Sequence, residues 1–464
     1  MLLSFTVSNF RSFREEQTLS MVASKRYPDH PDHLTPLPEL DESLLPAALI
    51  YGANGAGKSN LVKALDFVRD LVLQGTPPDW KIQREPFLLG GIDPGTPTTF
   101  EIRFLSEKNV FTYGLKLTDS IISEEWLDIM RGSRSINLFE RITKVEVGPD
   151  NKEKHVVTME AGNELSKGAL GNHDKLVAMT KAFSRANQLF LSSLRENLSP
   201  QEFGPLIQSV LKWFASMVIV HPNANFRHLV DLVAKDSSFA EFASEFLSSA
   251  STGVSKLSVQ NMALNEGAPG ILGELVREIL GNAQIGETRT KFIDGFGDLV
   301  AERGGGGKVT LRHIRAEHKT EDNKVVALPF EVESDGTQRL THLLPALFQL
   351  KKDQRVFVID EIDRSLHPLL ARKFIQFFLQ VCKGHESQII VTTHESNLMD
   401  LELLRRDELW FAEKNPAGAT TLYSLSDFKV RTDLKIDKGY LYGRFGAIPF
   451  LGNLDRLIKQ LNAG

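Results

Sequence analysis

Residues 52–59 spell Gly-Ala-Asn-Gly-Ala-Gly-Lys-Ser, which satisfies the pattern G-x-x-x-x-G-K-[ST] of a phosphate-binding loop. The apolar run from Ala47 to Tyr51 predicts a buried strand before the loop, and apolar residues at helical spacing from Leu61 to Leu71 predict a helix after it. Strand, glycine loop and helix are the context that the motif requires. A chance glycine turn is the alternative, and this context makes it the weaker one.

Each part of the loop has a chemical role. Glycines let backbone N–H groups turn toward phosphate oxygens, and the start of a helix favours anions. Lys58 is expected to reach the β- and γ-phosphates, and the Ser59 hydroxyl is expected to hold Mg²⁺. The predicted cofactors are therefore ATP and Mg²⁺. The residues expected to bind the nucleotide are Asn54, Gly55, Ala56, Gly57, Lys58, Ser59 and Asn60.

The composition is that of an ordinary globular chain, and it excludes several kinds of protein. The 464 residues allow two or three domains, and 42% of them are hydrophobic and 24% charged. The net charge of −5 gives no bulk attraction to nucleic acid. The single cysteine, Cys382, excludes an intrachain disulfide and a cysteine zinc site, which fits a reducing cytoplasm. We expect no signal peptide at the start of the sequence and no membrane span.

Residues 356–361 form an apolar run that ends in two acids, Asp360 and Glu361. In an open α/β sheet, such a strand places its terminal carboxylate next to the phosphate loop. Asp360 is expected to hold Mg²⁺, directly or through water, and Glu361 to orient or deprotonate the attacking water. Many buried strands end in acids, so the interpretation of this pattern depends on the motifs around it.

A helix start just before this strand carries a second candidate anion site. Ser334 and Gly336 match the serine and the second glycine of the L-S-G-G-Q signature of ABC ATPases. The leucine, the first glycine and the glutamine of that signature are replaced by Glu333, Asp335 and Thr337. An ordinary helix cap, for which Ser and Asp are favoured, is the structural alternative. The position between a phosphate loop and an acidic strand end favours the functional interpretation.

Two further motifs follow the acidic strand. Residues 365–368, Ser-Leu-His-Pro, occupy the place of the ABC D-loop. The buried strand predicted over 388–394 ends in His394, where the switch histidine of ABC ATPases contacts the γ-phosphate. A lone histidine is more often structural, but this location favours a catalytic role for His394.

Together these motifs, with Asn-Phe-Arg-Ser-Phe at 9–13, resemble the ABC-type ATPases related to the RecF and SMC proteins. More closely, they resemble the standalone ABC-type AAA ATPases of bacterial anti-phage systems. The resemblance implies an α/β fold: an ABC-ATPase head, made of a phosphate-loop sheet and an antiparallel β meander, with a helical insertion. It also implies a homodimer, or a higher oligomer of such dimers, in which Ser334 and Gly336 face the γ-phosphate of the opposite protomer.

The same resemblance implies roles for residues outside the main motifs. Arg11 and Phe13 are expected to border the adenine, because the N-terminal strand lies there in relatives. The family has a glutamine-bearing loop after the phosphate-loop helix, and both Gln74 and Gln83 are candidates for it.

The chain divides into three predicted segments. Residues 1–163 hold the phosphate loop and, beyond it, short runs of period-two alternation that predict an antiparallel meander. Residues 164–300 change to helical periodicity and predict a helical insertion. Residues 301–464 complete the head. They begin with a predicted hairpin of 308–315 and 325–332. Its basic residues are diluted by intervening acids, which favours a solvated face over a nucleic-acid surface.

Four functions were weighed for such a head. They are a regulatory ATPase that senses infection and controls a toxic partner, an OLD-type nuclease with a C-terminal Toprim domain, a RecF- or SMC-like repair clamp, and a transporter motor. The motif spacing argues against a transporter. A repair clamp would favour long heptad arms or a strongly basic surface, and the sequence predicts neither.

A built-in nuclease is not expected downstream of the switch histidine. Residues 408–413 and 420–425 predict a hairpin, and 451–461 predict a helix, so this stretch is committed to structure. Asp400 and Glu402 resemble a metal-binding acid pair, but on the helix predicted there residues two apart point in different directions. The resemblance therefore implies a separate effector, such as a Toprim nuclease, that the ATP-dependent dimer holds inactive until a phage factor intervenes.

Overall fold

A computed structural model of the chain describes residues 1–93, 95–147, 153–166, 185–199, 202, 204–223, 226, 228–265, 270–293, 297–350, 354–429 and 435–448. Within these residues, no helix is long and apolar enough to cross a membrane. The chain divides into two compact units, each made of segments that are distant in the sequence. The first comprises Met1–Pro222, Asp353–Ile362 and Leu379–Gly464, and the second comprises Asn223–Lys352 and Asp363–Phe378.

The described strands and helices alternate irregularly along the chain. The strands are β1 (Leu2–Ser8), β2 (Gln17–Ser20), β3 (Thr35–Leu37), β4 (Glu42–Leu44), β5 (Ala47–Tyr51), β6 (Thr98–Ser106), β7 (Asn109–Leu117), β8 (Ile122–Arg131), β9 (Arg134–Val147), β10 (Glu153–Ala161), β11 (Met217–Val220), β12 (Val254–Asn265), β13 (Thr288–Ile293), β14 (Gly297–Arg303), β15 (Lys308–Lys319), β16 (Val325–Pro329), β17 (Val356–Ile359), β18 (Gln388–Thr392), β19 (Leu409–Lys414) and β20 (Thr420–Ser424). The helices are α1 (Lys58–Gln74), α2 (Asn163–Ser166), α3 (Phe190–Asn197), α4 (Gly204–Ser216), α5 (Leu229–Lys235), α6 (Ser237–Ser249), α7 (Ile271–Leu280), α8 (Asp335–Gln349), α9 (Pro368–Val381) and α10 (Ile436–Leu441).

The first unit contains the sheet that carries the phosphate loop. Its strand order is β11-β17-β18-β5-β19-β20, with the first five strands parallel and β20 antiparallel to β19. All five residues of β5 and all five of β18 are buried, because parallel strands in such sheets are covered on both faces. This explains why β5 is a continuous apolar run and why β18 has three successive apolar residues, Ile389 to Val391.

An antiparallel sheet in the same unit has the order β10-β9-β8-β7-β6-β1-β2. Buried and half-buried positions alternate along β1 and along the first part of β6, as expected for strands with one covered face. Side chains of this sheet, of the parallel sheet and of α1 share one buried apolar cluster. The predicted α/β class, a phosphate-loop sheet together with an antiparallel meander, is confirmed.

The second unit is built around a smaller antiparallel sheet. Its order is β12-β15-β14-β13, and β16 pairs with the free part of β15. Side chains of α7, β14 and β15 form its apolar cluster, and rings of α6, α8 and α9 pack together at Phe242, Phe348 and Phe377. The predicted hairpin of 308–315 and 325–332 corresponds to β15 and β16.

The interval 164–300 is not purely helical. It contains α3 to α7, but it also contains four strands, β11 to β14, which the sequence analysis missed. Only two of the twelve residues of β12 are buried, Val254 and Leu257, so the period-two signal of that strand is weak. The four residues of β11 follow α4 without a break and join the phosphate-loop sheet beside β17. The predicted helical stretch with Leu176, Met179 and Phe183 lies outside the described residues.

The segment after β18 also differs from the prediction. The prediction of a helix that carries Asp400 and Glu402 is wrong. Residues 396–398 form one turn of 3₁₀ helix, and 400–403 lie in turns. The predicted hairpin is confirmed as β19 and β20, and β19 pairs in parallel with β5. The helix predicted over 451–461 lies outside the described residues.

Candidate nucleotide site

The phosphate loop joins the end of β5 to the first turn of α1. Asn54 and Gly55 at its tip are exposed, and the backbone of Gly55 is left-handed, with a φ of 77°. Gly57 has a φ of 109°, and a Cβ there would lie 2.1 Å from Oγ1 of Thr420. Glycine is therefore required at Gly57 both by the backbone conformation and by a close approach.

Two hydroxyl groups support the loop from the side opposite its open tip. Thr420 Oγ1 lies 2.8 Å from the Ala56 carbonyl oxygen, to which it donates, and 2.8 Å from Ser12 Oγ. Asn60 donates its side-chain amide to Ser12 Oγ at 2.7 Å, and the Thr420 amide donates to the Ser12 carbonyl at 2.7 Å. Sequence reasoning missed Ser12 and Thr420 as supports, because no local pattern links either residue to the loop.

Lys58 lies inside the loop and meets the predicted switch histidine. Its ammonium nitrogen donates to the carbonyl oxygens of Gly52 at 2.8 Å and of Ala53 at 3.3 Å. It also lies 3.0 Å from Nε2 of His394, which is exposed at the end of β18. Lys58 itself is only 5% exposed. The structure thus brings these two predicted residues together at the mouth of the loop.

Ser59 and Asp360 form the predicted metal-binding pair. The Ser59 hydroxyl donates to Oδ1 of Asp360 at 3.1 Å, across 301 residues of sequence. Thr392 donates its hydroxyl to the same oxygen at 2.5 Å, and Asp360 is 1% exposed. Hydroxyl and carboxylate oxygens are the ligands that Mg²⁺ prefers, so the donor set fits this ion.

Glu361 directly follows Asp360 and is partly exposed. Its backbone has a φ of 51°, the left-handed region that costs a non-glycine residue about 1–3 kcal/mol and occurs mainly at functional sites. Its amide donates to the hydroxyl of Thr392 at 2.8 Å. The Thr392 hydroxyl therefore positions both acids, because it donates to the Asp360 carboxylate and accepts from the Glu361 amide.

The order of strands explains why these residues meet. β5, β18 and β17 are adjacent and parallel, so the segments that follow their carboxyl ends lie at one edge of the sheet. Lys58 follows β5, His394 follows β18, and Asp360 follows β17. Ligands of open α/β sheets bind at that edge.

A tyrosine of α10 packs against the strand before the loop. The ring of Tyr440 lies 6.0 Å from that of Tyr51 and 5.8 Å from that of Phe411. Its hydroxyl donates to the Ala447 carbonyl at 3.1 Å, and burial raises its pKa. Tyr440 thus stays neutral and helps to hold the end of β5 in place.

Arg11 and Phe13, the two residues expected near the adenine, have different surroundings in the structure. Phe13 is fully buried in the apolar core, which leaves it no surface for a ligand. Arg11 forms an ion pair with Glu85 and lines a cavity of about 320 Å³. Gln74 and Gln83 line the same cavity, so it does not distinguish between the two glutamines.

The signature residues lie in the second unit, at the start of α8. Ser334 caps this helix, and its hydroxyl accepts the Thr337 amide at 3.2 Å. A Cβ on Gly336 would lie 2.6 Å from the Ser365 carbonyl oxygen, so the D-loop segment leaves no room for a side chain. Ser334 and Gly336 line a cavity of about 850 Å³, together with His367 and other residues of the unit.

One family profile matches more than half of the chain. A family profile described as "AAA domain, putative AbiEii toxin, Type IV TA system" matches residues 47–143 and 183–400. No curated protein matches the chain.

Similar solved structures include three SMC heads. The SMC head domain from Thermotoga maritima has 12% identity and a TM-score of 0.35, with 91% of this chain and 98% of that one covered. An SmcHead bound to the C-winged helix domain of ScpA has 14% identity and a TM-score of 0.41, with 91% and 97% covered. An Smc head with an extended coiled coil, bound to the C-terminal domain of ScpA from Pyrococcus furiosus, has 12% identity and a TM-score of 0.34, with 95% and 98% covered.

Proposed function

The chain belongs to the AAA family described as putative AbiEii toxin, an ABC/SMC-like ATPase family, and we propose that it binds ATP with Mg²⁺ and hydrolyses it. One observation carries this proposal. Lys58, the pair of Ser59 and Asp360, and His394 meet at one edge of a parallel sheet, although more than 300 residues separate the first two from the last two. Cationic, metal-ligating and basic groups in that arrangement fit a triphosphate.

Each group has a role in this proposal. Lys58 neutralises charge on the β- and γ-phosphates, and Ser59 and Asp360 hold Mg²⁺ between them. Glu361 takes the proton of the attacking water, and His394 donates to the γ-phosphate. The bond that is broken in this hydrolysis belongs to the bound ATP. The chain supplies position and charge, which is most of what phosphoryl transfer requires.

The working unit in this proposal is a homodimer with two shared sites, or a higher oligomer of such dimers. Ser334 and Gly336 of one copy complete the site that Lys58 begins in the other. Three features support this: Gly336 is held against Ser365, both signature residues line an open cavity, and a helix start favours anions. A self-complementary interface of this kind has twofold symmetry.

The biological role that we propose is regulation. The motifs resemble those of ABC-type ATPases of anti-phage systems, so the chain would act as a cytoplasmic sensor and scaffold in abortive infection. It would control a separate toxic effector, such as a Toprim nuclease, in response to a phage protein. Within that group the ATPase of PARIS, AriA, suits the size of the chain best. Septu and retron ATPases, a RecF- or SMC-like repair ATPase and an OLD-type nuclease head are the alternatives.

The first test is hydrolysis of ATP by the purified chain. Asp360→Asn removes the charge that holds Mg²⁺ and keeps the size of the side chain, so Mg²⁺-dependent phosphate release should be lost. The matched control is Asp322→Asn, since the side chain of Asp322 is 79% exposed. Equal rates in the two variants would refute the proposed site.

A second test separates the regulatory ATPase from the nuclease. The chain alone, with ATP and Mg²⁺ or Mn²⁺, is offered DNA, RNA and tRNA, and we expect no cleavage. Asp400 lies in a turn and its Oδ1 accepts the Glu402 amide at 2.8 Å, which is a local turn contact. Cleavage that disappears in Asp400→Ala but survives in Glu361→Gln would favour the built-in nuclease.

A further inference from the structure

Two histidines and an aspartate lie together in the loop before β3. One ligand atom from each of His30, Asp32 and His33 lies within 4.8 Å of those of the other two. His30 directly precedes a turn of 3₁₀ helix, Pro31–His33, that His33 ends. The two rings stack at 4.9 Å with an angle of 25° between their planes.

A buried carboxylate orients His33. Oε1 of Glu408 lies 3.0 Å from Nδ1 of His33, and the two side chains are 0% and 6% exposed. A carboxylate accepts, so in the neutral imidazole the proton is on Nδ1 and Nε2 carries the lone pair. A histidine that binds a metal through one nitrogen usually donates the N–H of its other nitrogen to a group such as a carboxylate.

The backbone orients His30 in the same way. Its Nε2 lies 2.7 Å from the carbonyl oxygen of Leu401. A carbonyl can only accept, so Nε2 carries the proton and Nδ1 has the lone pair. Each of the two imidazoles thus has one nitrogen fixed by an acceptor and the other available to bind a cation.

Asp32 supplies the negative charge of the group. Its carboxylate is half-exposed and pairs through Oδ2 with Lys383, 2.5 Å away. A carboxylate has a second oxygen, and a surface pair of this kind contributes little stability. A dication that reaches Asp32 therefore competes with the half-exposed Lys383.

The loop itself is fixed by buried charges. Arg405 is fully buried, donates to the Tyr27 carbonyl at 3.1 Å and pairs with Asp407 at 2.9 Å. Asp407 in turn accepts the Ser24 amide at 2.7 Å. Charged groups are rarely fully buried, and here they position the backbone that carries the two histidines. This supporting structure limits the entropy that a bound ion would have to overcome.

We propose that His30, Asp32 and His33 bind a divalent cation of the zinc class, with Glu408 orienting His33 from the outer sphere. Two imidazole nitrogens and one carboxylate oxygen are a donor set typical of Zn²⁺ with a fourth position open to water. Tetrahedral bonds of about 2.1 Å place ligand atoms about 3.4 Å apart. The three ligand atoms lie within 4.8 Å of one another, so binding requires them to move closer together. The ion binds within the loop before β3, and Glu408, in the segment that leads into β19, orients one of its ligands.

Cobalt titration of the full-length chain without nucleotide tests this proposal. We expect one equivalent of Co²⁺ to give the visible absorption of a tetrahedral site, and Zn²⁺ to displace it. His30→Gln retains a donor for the Leu401 carbonyl but removes a ligand. It should weaken binding by more than the 10–100-fold that loss of an outer partner typically costs. His155→Gln, at an exposed histidine on β10, is the matched control and should bind as the wild type does.

Two further variants keep the test informative even if His30→Gln fails to fold. Lys383→Met changes an exposed side chain and removes the competing cation, so it should tighten binding several-fold. Asp360→Asn should leave cobalt binding unchanged, because the nucleotide site is a separate group of residues. An absent cobalt spectrum, or one that His30→Gln leaves unchanged or that Asp360→Asn abolishes, would overturn the proposal.

Discussion

The two proposed halves of the nucleotide site are built in opposite ways. In the first unit, candidate residues contact one another: Lys58 meets His394, and Ser59 meets Asp360, across more than 300 residues of sequence. In the second unit, the Ser334 hydroxyl bonds to Thr337 in the first turn of its own helix, and Gly336 lies against the D-loop segment. One half is assembled internally, whereas the other presents a helix start to a cavity.

This difference bears on the role that we propose for each half in nucleotide binding. Oxygen and nitrogen groups already paired in the first unit can exchange those partners for Mg²⁺ and phosphate with little reorganisation. In the proposed function, the groups in the second unit act only when an anion reaches them. We therefore expect mutations in the first unit to act within one chain and mutations in the second to act on a neighbouring copy.

The largest effect is expected for Lys58→Ala. The variant loses the charge that meets phosphate, and the apolar core is unaffected, so the chain should fold but ATP binding or turnover should be abolished. Binding of labelled ATP and phosphate release measure this, with Lys212→Ala as a surface control, since its side chain is 73% exposed. A folded Lys58→Ala variant with wild-type affinity and turnover would contradict the assignment.

Glu361→Gln should come next. The amide keeps the shape of the side chain and leaves Asp360 in place but cannot take a proton, so hydrolysis should fall by roughly 10²-fold or more, the usual scale for loss of a general base. ATP should stay bound, and this is measured as nucleotide retained after gel filtration. Hydrolysis at the wild-type rate would eliminate Glu361 as the base.

Mixing two inactive variants tests whether the second half acts in trans. In a dimer of one Lys58→Ala chain and one Gly336→Trp chain, one site carries both changes and the other is intact. Random mixing should therefore restore about a quarter of wild-type turnover, because half of the dimers are mixed and each has one working site. No recovery in the mixture, or full activity of an isolated wild-type monomer, would count against shared sites.

The smallest effect is expected for Thr392→Val. Valine keeps the buried shape of the strand but removes the hydroxyl that bonds to Asp360 and to the Glu361 amide. Turnover should fall by about 10-fold, as for other residues that orient metal ligands, with a higher Mg²⁺ requirement. Thr392→Ser should restore both. A valine variant with unchanged Mg²⁺ dependence would show that Thr392 only packs.

Local motifs allowed much of the nucleotide site to be predicted. The spacing of the glycines, Lys58 and Ser59 encodes the loop directly, and Asp360 and His394 end apolar runs that could only be buried strands. Their proximity followed from a general property of parallel sheets. By contrast, Ser12 and Thr420 support the loop through contacts that join the two ends of the chain, and no local periodicity encodes such contacts.

The fold was predicted less completely in its middle. The signal of β12 was weak because most of its residues are exposed, and four-residue β11 was hidden at the end of a helix. Phe13 was assigned to a ligand from resemblance, yet its ring is in the core. Sequence gives the type of an element best where one face is fully buried, and it says little about which sheet a short strand joins.

The long intervals within the site have a consequence for biosynthesis. The nucleotide groups come from residues near 12, 58, 360, 394 and 420, so the site has very high contact order. Contacts of this kind form late, since loop closure precedes any gain in stability. A ribosome must therefore deliver nearly the whole described chain before the phosphate loop is supported. Under the proposed function, a nascent chain would be unable to engage ATP before the residues near 420 have been made.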